Sequence, residues 1–248
     1  MVQASLVTQI YRVTRVFLHT LIGLIIASVF LPFLSKNTQL ALIKWWCGGL
    51  LRAFHIKVVT FGELPPASIK SVMFVANHIS WSDIHALNSK IALRFIAKSE
   101  IRSWPVFGYL VEKANTLFID RSKRQEAGKI VDITAASLIS GDNLCFFPEG
   151  TTTDGQQVLP FKGSVLQAAI AANSRIWPVA IRYVNIDGSI NTNMAYAGET
   201  SLIDSMHLVV KQKNATVELH FLNPIDSTGK DRRHLTQAAY DAIVTKLA

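Results

Sequence analysis

The composition of this chain of 248 residues favours one globular domain with a small appendage, in contact with lipid. Half of its residues are hydrophobic, only 17% are charged and the mean hydropathy is positive, which is unusual for a freely soluble enzyme. The formal net charge of +8 suits an anionic membrane, an acidic carrier protein or nucleic acid, but the absence of a basic run, zinc-finger spacing or an RNA-binding motif argues against nucleic acid.

The first predicted element is an apolar helix near the N-terminus. Residues 16–35 carry no formal charge if His19 is neutral, and about 20 such residues can span a bilayer. A transmembrane helix and a helix that enters one leaflet both remain open. A cleaved signal peptide is disfavoured because the stretch exceeds a signal core of about 7 to 15 residues. Basic residues lie on both sides of the stretch, so their distribution gives only a slight preference for the orientation. It favours a globular part that faces the cytoplasm from the inner membrane.

A second helix is predicted from Thr38 to Phe54, where apolar residues recur at helical spacing. Its apolar stripe faces either the protein core or the membrane surface. We therefore expect a membrane-anchoring unit over residues 1–54 and an α/β domain over residues 55–248. Cys47 and Cys145 are the two cysteines, and they lie far apart in apolar runs, which fits a reducing compartment and excludes a cysteine-rich zinc site.

Strands and helices alternate through the rest of the chain. Apolar runs predict strands near 56–61, 71–77, 93–97, 116–119, 143–147, 176–184 and 215–221. Apolar residues at helical spacing predict helices over 125–139, 165–172, 202–211 and 232–247. This order predicts an α/β fold with a mostly parallel central sheet flanked by helices.

Polar side chains follow three of the predicted strands. His78 and Asp83 follow the second strand, Arg121 follows the fourth, and the segment 149–151 follows the fifth. Ligands bind beyond the carboxyl ends of the strands in open α/β sheets. If these strands are parallel neighbours, the polar groups converge on one edge of the sheet.

The spacing of His78 and Asp83 suits proton transfer. A histidine with an aspartate five positions later can form a general base and the carboxylate that orients it. Ser80 and Ser82 lie between the two residues, but neither stands in a Gly-x-Ser-x-Gly motif, and we identify no candidate serine or cysteine nucleophile beside the pair. The alternative is that Asp83 caps the helix that follows, for which Ser82 is the better N-cap candidate.

The other strand-end residues suit ligand binding. Arg121 can donate two parallel hydrogen bonds to a phosphate, although a surface ion pair is an alternative. Gly150 permits close approach of the backbone to a ligand. Glu149 and Thr151 can bind hydroxyl or phosphate groups beside it, while a structural salt bridge or cap remains open for Glu149.

Four blocks of sequence resemble the glycerolipid acyltransferases typified by 1-acyl-glycerol-3-phosphate acyltransferase. The blocks are Asn77–Asp83, Phe118–Arg121, Phe147–Thr151 and Ile176–Val179, and the resemblance covers roughly residues 50–225. It implies transfer of a fatty acyl group from an acyl thioester, acyl-CoA or acyl-ACP, to the free hydroxyl of a lyso-lipid at a membrane, in phospholipid biosynthesis. No tightly bound cofactor and no metal are expected.

The resemblance also implies roles for individual residues. His78 and Asp83 are the catalytic candidates, with His78 as general base and without an acyl-enzyme. The candidate substrate-binding residues are Arg121, Phe147, Pro148, Glu149, Gly150, Thr151 and Pro178.

The third block departs from the familiar lysophosphatidic acid enzymes, which continue it with Arg and Ser. This chain has Thr152 and Thr153 there, a continuation more similar to acyltransferases for other lyso-lipids, including lyso-ornithine lipid. The acceptor therefore stays open between 1-acyl-glycerol-3-phosphate and another lyso-lipid. A hydrolase that uses the same base, and a catalytically idle lipid-binding protein, are the alternatives at the level of function. The absence of a Gly-x-Ser-x-Gly motif argues against a serine esterase.

Overall fold

A computed structural model describes residues 3–119 and 126–248 of the chain. In that part of the chain the strands are β1 (Ile56–Gly62), β2 (Val72–Ala76), β3 (Arg94–Lys98), β4 (Leu117–Ile119), β5 (Leu144–Phe146), β6 (Arg175–Val184) and β7 (Ala215–Phe221). The α-helices are α1 (Leu6–Ile25), α2 (Lys36–Phe54), α3 (Ser82–Asn88), α4 (Phe107–Lys113), α5 (Glu126–Ile139), α6 (Gln167–Ala171), α7 (Leu202–Lys211) and α8 (Arg232–Leu247).

The strands form one sheet in the order β1-β7-β6-β2-β5-β3-β4. Neighbouring strands are parallel except for β6 and β7, which are antiparallel. The prediction of an α/β fold with a mostly parallel sheet is thus confirmed. Strand β2 lies near the centre and all of its residues are buried, as its continuous apolar sequence predicts for a parallel strand covered on both faces.

Helices cover both faces of the sheet. Phe54 of α2 and Val209 of α7 belong to the core on one face, whereas Leu138 of α5 and Ala239 of α8 belong to the core on the other. Successive residues of a strand point to opposite faces, so the strand interiors supply both cores. Loops that leave the strand ends are therefore held from two sides.

The N-terminal helix begins ten residues before the uncharged stretch that the sequence indicates, because the charge of Arg12 is accommodated. Its guanidinium is buried and donates to the main-chain oxygens of Val210 at 3.0 Å and Lys213 at 3.2 Å, and also to that of Gln212. Beyond α1 the chain continues as a π-helical turn, Ile26–Phe30, and a 3-10 turn, Leu31–Phe33. Among the described residues, Leu6–Phe33 is the one helical segment long and apolar enough to cross a bilayer.

The second half of α2 packs into the protein core, where Leu50, Leu51 and Phe54 are each 1% exposed. Core packing therefore accounts for this half of its apolar stripe. The first half is different, since Trp45 is 50% exposed. The division of the chain after residue 54 remains a prediction. Helix α2 ends at that residue, and its second half packs into the core of the α/β domain.

Candidate active site

The carboxyl ends of β2 and β5 meet at one edge of the sheet, and the candidate residues stand there. His78 follows β2 by two residues, and Phe147 follows β5 directly. Asn77 fixes the exit of β2, because its Nδ2 donates to Ile181 O at 3.0 Å and its Oδ1 accepts from Ile181 N at 2.7 Å. The side-chain amide thus imitates a further pair of sheet hydrogen bonds to β6, and the backbone position of His78 is rigidly set.

His78 and Asp83 contact each other as the spacing predicts. Nδ1 of His78 lies 2.8 Å from Oδ2 of Asp83. The carboxylate is fully buried, and the same oxygen accepts from the backbone N–H groups of Ile79 at 2.7 Å and Ser80 at 2.9 Å. An ionised carboxylate only accepts hydrogen bonds, so Nδ1 carries the proton and Nε2 is the basic nitrogen.

Asp83 lies inside the first turn of α3, and its contacts run to the loop before the helix. Ser82 is not the N-cap, because α3 begins at Ser82 and Trp81 occupies the cap position without a side-chain cap bond. The hydroxyl of Ser80 instead accepts from the N–H of Ser82 at 3.3 Å. Asp83 therefore binds the imidazole in addition to the main chain of the preceding loop.

The ring of His78 is held from one face by Phe147. The two rings are stacked, with centroids 3.9 Å apart and planes 11° from parallel. After Phe147 the chain turns sharply, with Gly150 N donating to Phe147 O at 3.1 Å and Gly150 at a φ of 74°. Glycine adopts this left-handed conformation without the steric cost that a side chain brings. The turn brings Thr151 to the same side of the sheet edge as His78.

Glu149 points inward and connects the two loops of the site. Its Oε1 accepts from the backbone N–H of His78 at 2.6 Å, and its Oε2 accepts from Leu159 N at 2.8 Å. The residue is 2% exposed, and burial raises the pKa of its carboxyl although both hydrogen bonds oppose the shift. The geometry favours a structural role for Glu149, which fixes the main chain of His78.

A cavity of about 570 Å³ opens beside His78, within the usual range for small-molecule sites. Its lining is mostly apolar and comes from α1, α2, α3, β3 and α4 together with the loops that follow β2, β5 and β6. Of the candidate residues, His78, Phe147, Gly150 and Thr151 line it.

The remaining candidates lie elsewhere. Pro148 and Glu149 are not among the described lining residues. Pro178 is buried within β6, where it pairs with Val75 in the interior of the sheet, so its position serves packing. Arg121 lies outside the described residues, and its role in binding stays a prediction.

Three residues at the site were not identified as functional from the sequence. Lys98 ends β3 and lines the cavity, and the strand-end rule that selected His78 would also have selected it. Tyr183 of β6 donates its hydroxyl to Oδ1 of Asp83 at 2.6 Å, a contact between residues 100 positions apart that no local pattern indicates. His85 lines the cavity, and burial lowers its pKa to about 4, so that its ring is neutral at physiological pH.

Thr152 connects the site to the loop that precedes α7. Its hydroxyl donates to the main-chain oxygen of Tyr196, and the N–H of Tyr196 donates to Ile79 O at 2.9 Å. Both residues line the cavity. Within residues 3–119 and 126–248, no three His, Cys, Asp or Glu side chains are grouped so that they could hold a metal ion.

Comparison with known proteins gives a consistent result. The family model described as Acyltransferase matches residues 56–182. The lyso-ornithine lipid O-acyltransferase of Pseudomonas aeruginosa is 36% identical over 202 residues, which cover 82% of this chain and 76% of that protein. The 1-acyl-sn-glycerol-3-phosphate acyltransferase of Neisseria meningitidis is 34% identical over 186 residues, which cover 75% and 72%.

A solved structure shares the fold. The crystal structure of the 1-acyl-sn-glycerophosphate acyltransferase from Thermotoga maritima aligns with a TM-score of 0.66 over 95% of this chain and 96% of that chain, at 23% identity. At this identity the likeness concerns the fold. It includes the N-terminal helices as well as the sheet, because the alignment covers nearly the whole chain.

Proposed function

Given that the chain belongs to the acyltransferase family, we propose that it is a membrane-associated O-acyltransferase of phospholipid or related lipid biosynthesis. It moves a fatty acyl group from an acyl thioester, acyl-CoA or acyl-ACP, to the free hydroxyl of a lyso-lipid. The observation that carries this proposal is the His78 and Asp83 pair, 2.8 Å apart, beside a mostly apolar cavity. A general base and a site for a fatty chain are the two parts that this reaction needs.

In the proposed mechanism His78 is the general base. Nδ1–H is bound to Asp83, and Nε2 takes the proton of the acceptor hydroxyl as its oxygen attacks the thioester carbonyl carbon. The tetrahedral oxyanion collapses, the carbon–sulfur bond breaks, and the thiolate leaves with the proton that the imidazolium returns. Asp83 stabilises the imidazolium in between, because its carboxylate is buried beside the ring. No covalent enzyme intermediate is required.

The cavity is the proposed site of the acyl chains. Part of its wall is built from apolar residues of the N-terminal helical segments, among them Ala27, Leu31, Leu42 and Ile43. A fatty chain that leaves water for such a wall gains about 0.8 kcal/mol per buried methylene. The neutral ring of His85 keeps charge away from the interior of the cavity, whereas Lys98 supplies a cation for an anionic headgroup or a donor phosphate.

The N-terminal helix is proposed to enter one leaflet of the inner membrane from its cytoplasmic side. Arg12 ties its first half to the end of α7, and Ser28 Oγ lies 2.9 Å from the hydroxyl of Tyr109 in α4 at its other end. A helix that crossed the bilayer would carry its ends to opposite sides, about 30 Å apart, yet both ends contact the same domain. Its exposed side is apolar, with Val7 78% and Phe17 68% exposed, which suits insertion into an anionic lipid surface.

Two acceptors follow from the relatives, 1-acyl-glycerol-3-phosphate and lyso-ornithine lipid. Thr152 favours the second. The familiar lysophosphatidic acid enzymes have an arginine at this position, whereas the hydroxyl here is engaged by Tyr196 O and brings no charge to the cavity. A phosphate monoester gains most from a bidentate guanidinium, so a lyso-lipid without that group is the better fit.

A panel of acceptors tests the proposal. Purified protein in mixed micelles receives a radiolabelled acyl thioester with lysophosphatidic acid, lyso-ornithine lipid or another lysophospholipid. The diacyl products are then separated from free fatty acid. Label in an acceptor-dependent diacyl product supports acyl transfer. Free fatty acid that forms at the same rate without acceptor would identify a hydrolase instead.

Thr152→Arg tests the assignment of the acceptor. We expect this variant to raise the kcat/KM for lysophosphatidic acid relative to lyso-ornithine lipid. Thr152→Ala is the matched control, because it removes the bond to Tyr196 without adding a cation. An equal change of preference in both variants would contradict the role of charge at this position.

A further inference from the structure

Tyr183 contacts Asp83, one of the two catalytic candidates, from a strand of the central sheet. It belongs to β6, the strand beside β2, and is 1% exposed. Its hydroxyl oxygen lies 2.6 Å from Oδ1 of Asp83. Because an ionised carboxylate cannot donate, the phenol donates this hydrogen bond.

The two oxygens of Asp83 are bound unequally. Oδ2 receives His78 Nδ1, Ile79 N and Ser80 N, all within 2.9 Å. Among the described residues, Oδ1 receives only the Tyr183 hydroxyl. The phenol adds a donor on the second oxygen, so it further restrains rotation of the carboxylate about the Cβ–Cγ bond and draws part of the negative charge toward Oδ1. Hydrogen bonds to charged groups are the strong ones.

The phenol remains a donor across the working pH range. Burial, followed by the negative charge of Asp83, raises the pKa of Tyr183 well above its ordinary value. The hydroxyl of Ser82, which is fully buried, lies 2.7 Å from the phenol oxygen. Since the phenol proton is engaged by Asp83, the phenol oxygen can only accept from Ser82, whose single hydroxyl proton also has Ser80 Oγ at 3.1 Å as an acceptor. The contact with the phenol is the shorter of the two, and it extends the chain of hydrogen bonds that leads to His78.

We propose that Tyr183 is a positioning residue of the His78 and Asp83 pair, whose hydroxyl sets the orientation and charge distribution of the carboxylate and thereby the tautomer and basicity of His78. The inference deepens the proposed function and rests on His78 as its base. The other carboxyl near the ring, Glu149, does not compete for this role, because its oxygens accept from the main chain of His78 and Leu159.

Tyr183→Phe removes the hydroxyl and keeps the ring that fills the core. Orientation supplies part of the roughly 10²- to 10⁴-fold that a positioned base contributes, so we expect kcat to fall about tenfold or more. The KM of both substrates should stay within about twofold, because Tyr183 is not among the described residues of the cavity wall. With one donor fewer, Asp83 holds more negative charge toward the imidazole, and the acid limb of the pH–rate profile moves to higher pH.

Two further variants make the test specific. Ser82→Ala weakens the phenol as a donor but leaves its bond to Asp83, so it should cause a smaller change in the same direction in kcat and in the acid limb. It also carries the test if Tyr183→Phe does not fold. Tyr240→Phe is the matched control, because its hydroxyl donates to Val158 O at 3.4 Å and not to the Asp83 carboxylate, and its kinetics should equal those of the unaltered protein.

Nitrogen-15 NMR of labelled histidine gives a readout that needs no substrate. The ring signals of His78, identified by their loss in His78→Ala, should change their tautomer pattern and titration in Tyr183→Phe but not in Tyr240→Phe. Unchanged ring signals and an unchanged acid limb, with only a lower melting temperature, would overturn the positioning role. If the unaltered protein transfers no acyl group while the His78 signals still respond to Tyr183→Phe, the positioning role stands and the proposed function fails.

Discussion

Asp83→Asn is the substitution whose outcome the structure defines most closely. Asparagine has the shape of aspartate, so its amide oxygen can still accept from His78, Ile79 and Ser80. Its amide nitrogen then faces the hydroxyl of Tyr183, which can turn to accept. The fold and the tautomer of His78 are retained, and what disappears is the negative charge.

The size of the effect follows from the distance between ring and carboxylate. Two unit charges about 3 Å apart interact by roughly 5 to 6 kcal/mol at an effective dielectric constant near 20. The amide dipole of asparagine supplies part of this interaction energy. The rest is missing only when the imidazolium forms during the reaction, so its loss raises the activation barrier. We expect kcat to fall by about 10²- to 10³-fold, equal to roughly 3 to 4 kcal/mol of transition-state stabilisation. The KM should change little, because Asp83 is fully buried.

The assay is acyl transfer from a labelled thioester to the best acceptor of the panel, with kcat and KM measured for both substrates. Asp226→Asn is the matched control, because this exposed carboxylate pairs with Arg175 at 3.1 Å, beside the amino end of β2, whereas His78 follows its carboxyl end. Exposed pairs contribute little. A melting temperature close to that of the unaltered protein would show that the fold survives. Activity of Asp83→Asn within about threefold of the unaltered protein would show that the buried charge has no part in the reaction.

Three further predictions concern the cavity, the N-terminal helix and acid stability. Ala27 lines the cavity, so Ala27→Phe should fill part of it and exclude two or three carbons of a long acyl chain. At about 0.8 kcal/mol per methylene, kcat/KM for the longest acyl thioesters should fall by roughly 10- to 100-fold. Equal activity on all chain lengths would contradict this, and Val29→Phe at an exposed position is the control. Arg12→Gln leaves three carbonyl groups without their donor, so hydrogen exchange in α1 should accelerate. Arg15→Gln is the control, because this half-buried guanidinium lies over the ring of Tyr11 in the same helix, and it should leave the exchange unchanged. Unchanged exchange in the Arg12 variant would refute the tether. For Asp142, burial opposes ionisation, but hydrogen bonds from Lys36, Ser137 and Arg94 prevail and lower its pKa. Its ionised form therefore contributes stability at neutral pH that is lost as the pH falls through the ordinary value toward the folded-state pKa. Denaturant titrations should show Asp142→Asn less stable by about 1 to 2 kcal/mol at neutral pH and less sensitive to acid, and parallel pH profiles of the two proteins would contradict the assignment.

The sequence predicted the strands because each is a short apolar run bounded by polar residues. It did not reveal the order of the strands or the antiparallel pairing of β6 with β7, since both depend on contacts between distant segments. The short helices α3 and α4, each of seven residues, carry too few turns for a clear apolar period. The uncharged stretch marks only part of α1, because the burial of Arg12 against the end of α7 is a tertiary contact.

At the site, the local contact was predictable and the distant ones were not. His78 and Asp83 are joined within one loop and the first turn of one helix, so their spacing predicted the hydrogen bond. The contact of Tyr183 with Asp83 depends on β6 lying beside β2. For Glu149 the motif indicated the position, but the direction of the side chain, inward to the main chain of His78, follows only from the folded turn.

In the proposed mechanism the free nitrogen of His78 removes the proton of a lyso-lipid hydroxyl. The most direct test compares acceptor-dependent transfer of a labelled acyl group by the unaltered protein and by folded His78→Ala. We expect diacyl product from the unaltered protein and a rate lower by at least about 10²-fold from His78→Ala. Equal rates from the two proteins would contradict it.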